Sequence, residues 1–355
     1  MILFLPGQYP FCYHHRGYTP GIYSNQMVVS DFMRKDMKYS AEAIKAQSDI
    51  ADIIVFQRPS YARSLELGRA LKAKGKKIIF ENDDTYEGLP LERLDNEKQR
   101  QIAKEQANNL REFLKMADGA IASTKILAEE YKRLNPNVAV LKNCIDPLDQ
   151  YECKENTTGK FRIGFIGSVT SNDDYFHIKD QIKKLDERGD ITIVVLGVKY
   201  QDGTHLPVMQ EDFNFWNSLK NIEWQPYVHV TEYMMTLADL ALDLAVIPRK
   251  EHYFNQCKSN LKFLEMSLLK IPVLAQGFSD GTSPYQGVDE PYLNIVMNND
   301  EWYNNIVEIK DNYLPYEDKA IKAHQYVLDN YDITNNYAQE WVNTINNLCK
   351  FQKNY

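Results

Sequence analysis

Short apolar runs alternate with longer amphipathic segments along most of the chain. In the first half, Ile2 to Leu5, Ile53 to Phe56, Lys77 to Phe80, Gly119 to Ala122 and Val138 to Leu141 have the length and composition of strands. Helical segments fall between them. SYARSLELGRALKA (Ser60 to Ala73) sets Leu65, Leu67 and Leu71 beside a face of small residues, and Gly75 follows as a stop. Asn96 to Met116 reads as a long helix, and Thr124 to Leu134 as another that Ser123 or Thr124 would cap. This strand–helix rhythm breaks at DPLDQYECKENTTGK (Asp146 to Lys160), a polar stretch with Pro and Gly that reads as a linker. A second round then begins. Strands are expected at Phe161 to Ile166, Ile191 to Leu196, Ile222 to Gln225, Leu240 to Ile247 and Pro272 to Ala275. Helices are expected at Asp174 to Asp186, Val230 to Leu237 and Ser259 to Leu269.

Two βα rounds of similar size predict two doubly wound α/β domains rather than one. The expected boundaries are 1–150 and 157–315, followed by a strandless helical tail over 316–355. In the tail, Trp341, Ile345 and Leu348 recur at helical spacing, which suits either a cap on the second domain or a brace returning to the first. Open α/β sheets bind ligands at the carboxyl ends of their strands, so the two domains are expected to face each other across a binding cleft.

A length of 355 residues suits two domains. The formal net charge of -8 supplies no diffuse positive field, so nucleic acid is not an expected partner. The 5 cysteines are widely spaced and form no CxxC pair, which argues against a disulfide framework and a thiolate zinc site. MILFLPG lacks the basic and long apolar regions of a signal peptide, and no run of 18 apolar residues occurs. A cytoplasmic location is therefore expected, including the inner face of a membrane. Lys35, Lys38, Lys72, Lys74, Lys76 and Lys77 would line such a membrane-facing surface, or a solvated one.

The most informative stretch is NQCKSNLKFLEMSLLKIPVLA (Asn255 to Ala275). Ser259 or Asn260 would cap a helix whose apolar stripe is Leu261, Leu264 and Leu268. A helix N-terminus carries unpaired N–H groups and about +0.5 of a charge, so Lys258 beside it suits an anion such as phosphate. Glu265 lies about 7 to 10 Å further along the axis at helical rise, roughly the span from a diphosphate to a ribose whose hydroxyls a carboxylate would accept. A solvated helix with a Lys262–Glu265 surface pair has the same spacing.

GFIGSVTSNDD (Gly164 to Asp174) is a strand running into a glycine turn, where Gly167 permits close approach and Ser168 and Thr170 can bond to phosphate. It is neither GxGxxG nor a P-loop. ENDDTYEG (Glu81 to Gly88) places carboxylates at a strand end, where Asp83 and Asp84 would bind metal, orient an acceptor hydroxyl or cap the next segment. No third metal ligand is identifiable beside them. His14 and His15 follow the first strand, and a histidine there is either a base or structural. HxxxH is absent, which disfavours zinc hydrolysis.

Taken together, these segments resemble the retaining glycosyltransferases of GT-B fold, specifically the family 4-like group. Lys258-Ser259-Asn260-Leu261-Lys262, Leu264-Glu265 and Ile271-Pro272-Val273-Leu274-Ala275 look like its signature. Phe165-Ile166-Gly167-Ser168 looks like its glycine loop, and Trp224-Gln225-Pro226-Tyr227, Tyr233 and Asp239 to Ala245 look like its next elements. Weaker likenesses lie in Val55-Phe56-Gln57-Arg58, Asn82-Asp83-Asp84 and Val140-Leu141-Lys142-Asn143.

The resemblance implies two Rossmann-like domains and a nucleoside-diphosphate sugar as donor, a UDP- or GDP-sugar foremost, with no metal and no permanently bound cofactor. Lys258 and the amides near Ser259, Asn260 and Leu261 would take the diphosphate, Glu265 the ribose hydroxyls, and Ser168 phosphate or sugar. Lys262 would be a second phosphate ligand or a partner of Glu265, and Arg249, in the long polar loop PRKEHYFN that would close over the donor, is a further candidate. The acceptor, a glycan, glycolipid or other hydroxyl compound, would come to the first domain, where Asp84 and His14 are the catalytic candidates beside Lys258 and Glu265. The sequence departs from the pattern at Cys257, eight positions before Glu265, where many members have glutamate, and at Ile271, where glycine is usual. A nucleotide-sugar epimerase or hydrolase, or a catalytically silent nucleotide-sugar binder, would share the same donor site.

Overall fold

In a computed structural model, residues 1–7, 10–34, 41–87, 97–167, 172–199, 210–287 and 289–350 are described. The chain divides into two compact units. The first comprises Met1–Pro147, Cys257–Ser259 and Tyr331–Tyr355, and the second Leu148–Gln256 and Asn260–Asn330.

Each unit is built on a six-stranded sheet with all pairings parallel. The first contains β1 (Ile2–Leu5), β2 (Met27–Val28), β3 (Ile53–Gln57), β4 (Lys77–Asn82), β5 (Gly119–Ala122) and β6 (Val138–Val140), in the order β2-β1-β3-β4-β5-β6. The second contains β7 (Phe161–Ile166), β8 (Ile191–Lys199), β9 (Ile222–Pro226), β10 (Leu244–Ile247), β11 (Val273–Gln276) and β12 (Asn294–Val296), in the order β12-β11-β10-β7-β8-β9. Both sheets are doubly wound, and the strand order reverses direction between β1 and β3 in one and between β7 and β10 in the other. Every residue of β1, β3, β5, β10 and β11 is buried, because helices cover both faces of a parallel sheet. That is why these strands read as continuous apolar runs.

Several expected elements are revised. The helix expected from Asp174 to Asp186 is two helices, Asn172–Phe176 and Lys179–Arg188, because the chain turns between them to send Ile178 into the core. The strand expected from Leu240 starts only at Leu244. Ala241 is left-handed (φ 51°), and Asp243 turns back to accept the Arg162 N–H at 2.7 Å. β2 and β12 have 2 and 3 residues, too few to carry a periodicity. The tail is divided rather than a simple cap on the second domain. Helix Leu314–Tyr331 belongs to the second unit up to Asn330, and helix Ala338–Lys350 packs on the first unit's sheet. There Trp341 meets Phe4 edge-on at 6.1 Å, and the Leu348 carbonyl accepts the Asn137 side-chain amide at 2.7 Å.

The first unit is drawn together by Arg16, which has no solvent exposure. Its Nε donates to Glu81 Oε1 at 2.7 Å, and its Nη1 donates to the Leu141 carbonyl at 2.7 Å and to Asn143 Oδ1 at 3.1 Å. The guanidinium also lies 4.9 Å from the Trp341 ring centroid, a cation–π contact. Burial pushes the Glu81 carboxyl up to about 8, and the adjacent guanidinium limits the rise.

Helix Leu261–Leu268 ends in a Schellman motif, in which Ile271 N–H donates to Met266 O and Lys270 N–H to Ser267 O, both at 3.0 Å. Lys270 is left-handed (φ 58°), a conformation that favours glycine. The turn delivers the chain into buried β11. Among the described residues, no helix is long and apolar enough to cross a membrane.

Lys270→Gly should raise stability by about 0.5–1 kcal/mol, the strain relieved less the added freedom of the unfolded chain; an unchanged urea midpoint would refute the strain. Glu81 has a raised native pKa, so its contribution is fully present below its ordinary value of 4.5 and lost as pH rises through about 8. Stability of the natural protein relative to Glu81→Gln should therefore fall between pH 5 and 8, and a pH-independent difference in urea midpoint would rule this out.

Candidate functional site

The helix that follows the KSN segment, Leu261–Leu268, organises the second unit's candidate residues. Phe263 to Leu268 are all buried, so the helix is covered around most of its circumference, including the side that bears Glu265. Glu265 is 4% exposed, which excludes a solvated surface pair. Its Oε2 accepts a hydrogen bond from the Tyr233 hydroxyl at 2.9 Å and one from Lys262 Nζ at 3.0 Å. Lys262 also donates to the Tyr233 oxygen at 2.6 Å. Burial, followed by the neighbouring Glu265 charge, pushes the Tyr233 hydroxyl well above its ordinary value, so it remains a donor. Lys262 and Met266 further line a shallow recess over Gly164 and Ile166 of β7 and Ala245 to Ile247 of β10, where the sheet order reverses.

The expected side-chain cap is not formed. Asn260 occupies the N-cap position without a cap bond, because its amide donates to Asp289 Oδ2 at 2.7 Å. The other oxygen of Asp289 accepts the Tyr326 hydroxyl at 3.0 Å. Ser259 accepts instead from Asn143 Nδ2 at 2.8 Å, within the first unit.

In that unit Lys258 and Asp84 form a salt bridge, and Arg58 Nη1 reaches the other Asp84 oxygen at 2.8 Å. Burial alone would raise the Asp84 carboxyl; the Lys258 ammonium and Arg58 guanidinium outweigh it and hold the group below the ordinary carboxylate range. The backbone here is fixed as well. The Tyr131 hydroxyl donates to the Asp84 carbonyl at 2.6 Å, and Asn82 Nδ2 to the same atom at 2.7 Å. Arg58 is left-handed (φ 46°) where β3 ends, and Gly7 packs so closely there that a Cβ would stand 2.1 Å from the Gln57 carbonyl oxygen. Cys12 Sγ lies 4.0 Å from Arg58 Nη1. His14, two residues on, is stacked with Tyr18 at 6.3 Å and sits edge-on to His15 at 4.9 Å. Asp84, Arg58 and Lys258 thus come together, and His14 stacks with Tyr18 of its own π-helical turn.

Arg249 follows β10, and its Nη1 donates to Asp174 Oδ2 at 2.9 Å. The other oxygen of Asp174 accepts Lys250 N–H at 3.0 Å and Asn255 Nδ2 at 2.7 Å. The loop expected to close over a ligand is therefore anchored, and it contains a short helix, Tyr253–Gln256. Gly167 follows β7, and its N–H donates to Leu196 O at 3.1 Å. Ser168 and Thr170 lie outside the described residues. Arg58, Tyr233 and Asp174 are site residues that the sequence does not mark. Their partners are far away in the chain, so spacing gave no signal. Among the described residues, no group of three or more His, Cys, Asp or Glu side chains gathers.

No protein-family model matches the chain, and no curated protein matches it in sequence. Solved structures do match. A structure of HepE from Anabaena in complex with UDP and glucose has a TM-score of 0.66 at 12% identity, covering 97% of this chain and 99% of that one. A glycosyltransferase from Rickettsia africae has a TM-score of 0.66 at 12% identity, covering 99% and 98%. TarM has a TM-score of 0.56 at 15% identity; the match covers 83% of this chain and only 54% of TarM, about half its length. With two doubly wound parallel sheets and near-complete overlap with HepE, the fold of this chain is GT-B, a pair of Rossmann-like α/β domains.

Proposed function

We propose that this protein is a retaining, family 4-like glycosyltransferase that moves a sugar from a nucleoside-diphosphate sugar to an acceptor hydroxyl in glycan or glycoconjugate assembly. The observation that carries the reading is the buried, hydrogen-bonded carboxylate of Glu265, seven residues past Lys258 in a doubly wound domain. A buried carboxylate that accepts bonds from protein donors is suited to reading ligand hydroxyls. The structural likeness to HepE, which was solved with UDP and glucose, supports a UDP-sugar among the candidate donors.

In this reading Glu265 takes the ribose hydroxyls. Lys258, the amides near Ser259, Asn260 and Leu261, and Gly167 with Ser168 and Thr170 take the diphosphate, and Arg249 flanks it. The bond between the anomeric carbon and the phosphate oxygen breaks while the acceptor oxygen bonds to that carbon on the same face. The leaving diphosphate takes the acceptor proton, so no protein nucleophile is needed. Lys258 and the helix amides stabilise the charge that develops on the leaving group, without a metal. Asp84 orients the acceptor hydroxyl, and His14, two residues past Cys12, is the second acceptor-side candidate. A cytoplasmic setting, with a glycan or glycolipid acceptor, completes the proposal.

Calorimetric titration of UDP, GDP, ADP, CDP and TDP should find one that binds, and Glu265→Ala should weaken that binding by about 10-fold or more, the value of hydrogen bonds to a charged group. Lys258→Ala should lower turnover more than affinity. Failure of all five to bind, or equal and negligible effects of both variants, would refute the assignment. Because Asp84 neutralises Lys258, a diphosphate competes with it for that cation. Asp84→Asn should tighten diphosphate binding several-fold while lowering turnover, and an unchanged Kd would rule out the competition.

A further inference from the structure

Glu265 reaches its position through two neighbours whose roles the sequence left open. A glutamate side chain has three rotatable bonds and, on a bare helix, would sample several rotamers. Here Oε2 is held by two donors from different directions. The Tyr233 hydroxyl, from helix Val230–Asp239, lies at 2.9 Å, and Lys262 Nζ, one turn earlier on its own helix, lies at 3.0 Å. The two donors are themselves joined at 2.6 Å, and Lys262 also lies 5.0 Å from the Tyr233 ring centroid. Tyr233 is 6% exposed, so its hydroxyl finds its partners inside the protein. Two bonds on one carboxylate oxygen fix both the torsion of the group and the plane in which Oε1 lies. A vicinal diol is recognised by a carboxylate held in a set plane, because both hydroxyls must approach along lone-pair directions.

We infer that Tyr233 is a positioning residue that sets the Glu265 carboxylate to read the paired ribose hydroxyls of the donor nucleotide, and that Lys262 serves as the charge partner of that carboxylate rather than as a phosphate ligand. The inference rests on the donor-site reading above and adds to it the means of discrimination. Lys262 spends its hydrogen bonds on Tyr233 and Glu265, whereas Lys258 and Arg249 carry the cationic groups assigned to the phosphates. The hydroxyl of Tyr233 is the group that hydrogen-bonds to the carboxylate, so its removal tests the role.

The test compares UDP with 2′-deoxy-UDP, and GDP with 2′-deoxy-GDP, by calorimetry on the full chain. The natural protein should prefer one ribonucleotide over its deoxy analogue by about 10-fold, the value of a hydrogen bond to a charged acceptor. Tyr233→Phe should reduce that ratio to within about threefold. Lys262→Met should also reduce the ratio, while changing the affinity for inorganic pyrophosphate by less than about twofold. Circular dichroism and thermal unfolding of each variant confirm that it is folded, and should Tyr233→Phe not fold, the Lys262→Met comparison decides.

A folded Tyr233→Phe protein that keeps the full ratio overturns the positioning role and leaves the donor site standing. Lys262→Met that weakens pyrophosphate and keeps the ratio makes Lys262 a phosphate ligand, which overturns its assignment as a charge partner. Equal binding of ribo- and deoxynucleotides by the natural protein overturns hydroxyl reading alone. Binding of none of the five diphosphates overturns the inference together with the donor reading.

Discussion

The fully buried guanidinium of Arg16, hydrogen-bonded to Glu81, is the constraint on which the first unit depends. A guanidinium removed from water is tolerated only when its donors find acceptors, so each group that serves Arg16 is held where it is needed. Glu81 fixes the carboxyl end of β4, Leu141 and Asn143 fix the segment after β6, and Trp341 covers the guanidinium from the C-terminal helix. Asn143 then passes the constraint to Ser259. Lys258, next in the chain, reaches Asp84, three residues beyond Glu81. The pair therefore positions the residues that surround the proposed diphosphate lysine without touching them.

The strands were legible because a parallel sheet demands burial on both faces. β1, β5 and β7 fall on the residues that the apolar runs marked, Ile2 to Leu5, Gly119 to Ala122 and Phe161 to Ile166. The helix at 261–268 and the buried strand after it were legible for the same reason, since Leu264 and Leu268 need a sheet to pack on. Partners remote in sequence were not legible. Lys262 and Glu265 look like a surface pair because spacing along one helix contains nothing about Tyr233. Asn260 looks like a cap because Asp289, whose carboxylate accepts its amide N–H and sets its orientation, lies 29 residues on. Lys270 gives no sign of its left-handed backbone, because that conformation is imposed by the turn into β11.

Charge balance shows the same dependence on tertiary partners. The lysines between 72 and 77 form a dense basic cluster in sequence, yet Lys72 and Lys77 meet Asp118, Lys74 meets Asp49, and Lys76 donates to the carbonyls of Asp49 and Ala51. They seal the end of the sheet where β4 begins. Arg249 and Lys258 likewise each meet an aspartate. Cationic character is thus distributed as local pairs, and any anion that binds to one of them has to displace or share a carboxylate.

The first unit is assembled from three separate pieces of chain, the last beginning at Tyr331. A ribosome delivers β1 to β6 long before it delivers Trp341, Ile345 and Leu348. During that interval Phe4 and Arg16 lack the ring that covers them, and Asn137 lacks the Leu348 carbonyl. The N-terminal sheet therefore completes last although it is synthesised first, reversing the usual order in which domains mature on emergence. Loss of the final helix, by truncation or stalled translation, would expose the site's foundation rather than merely trim a tail.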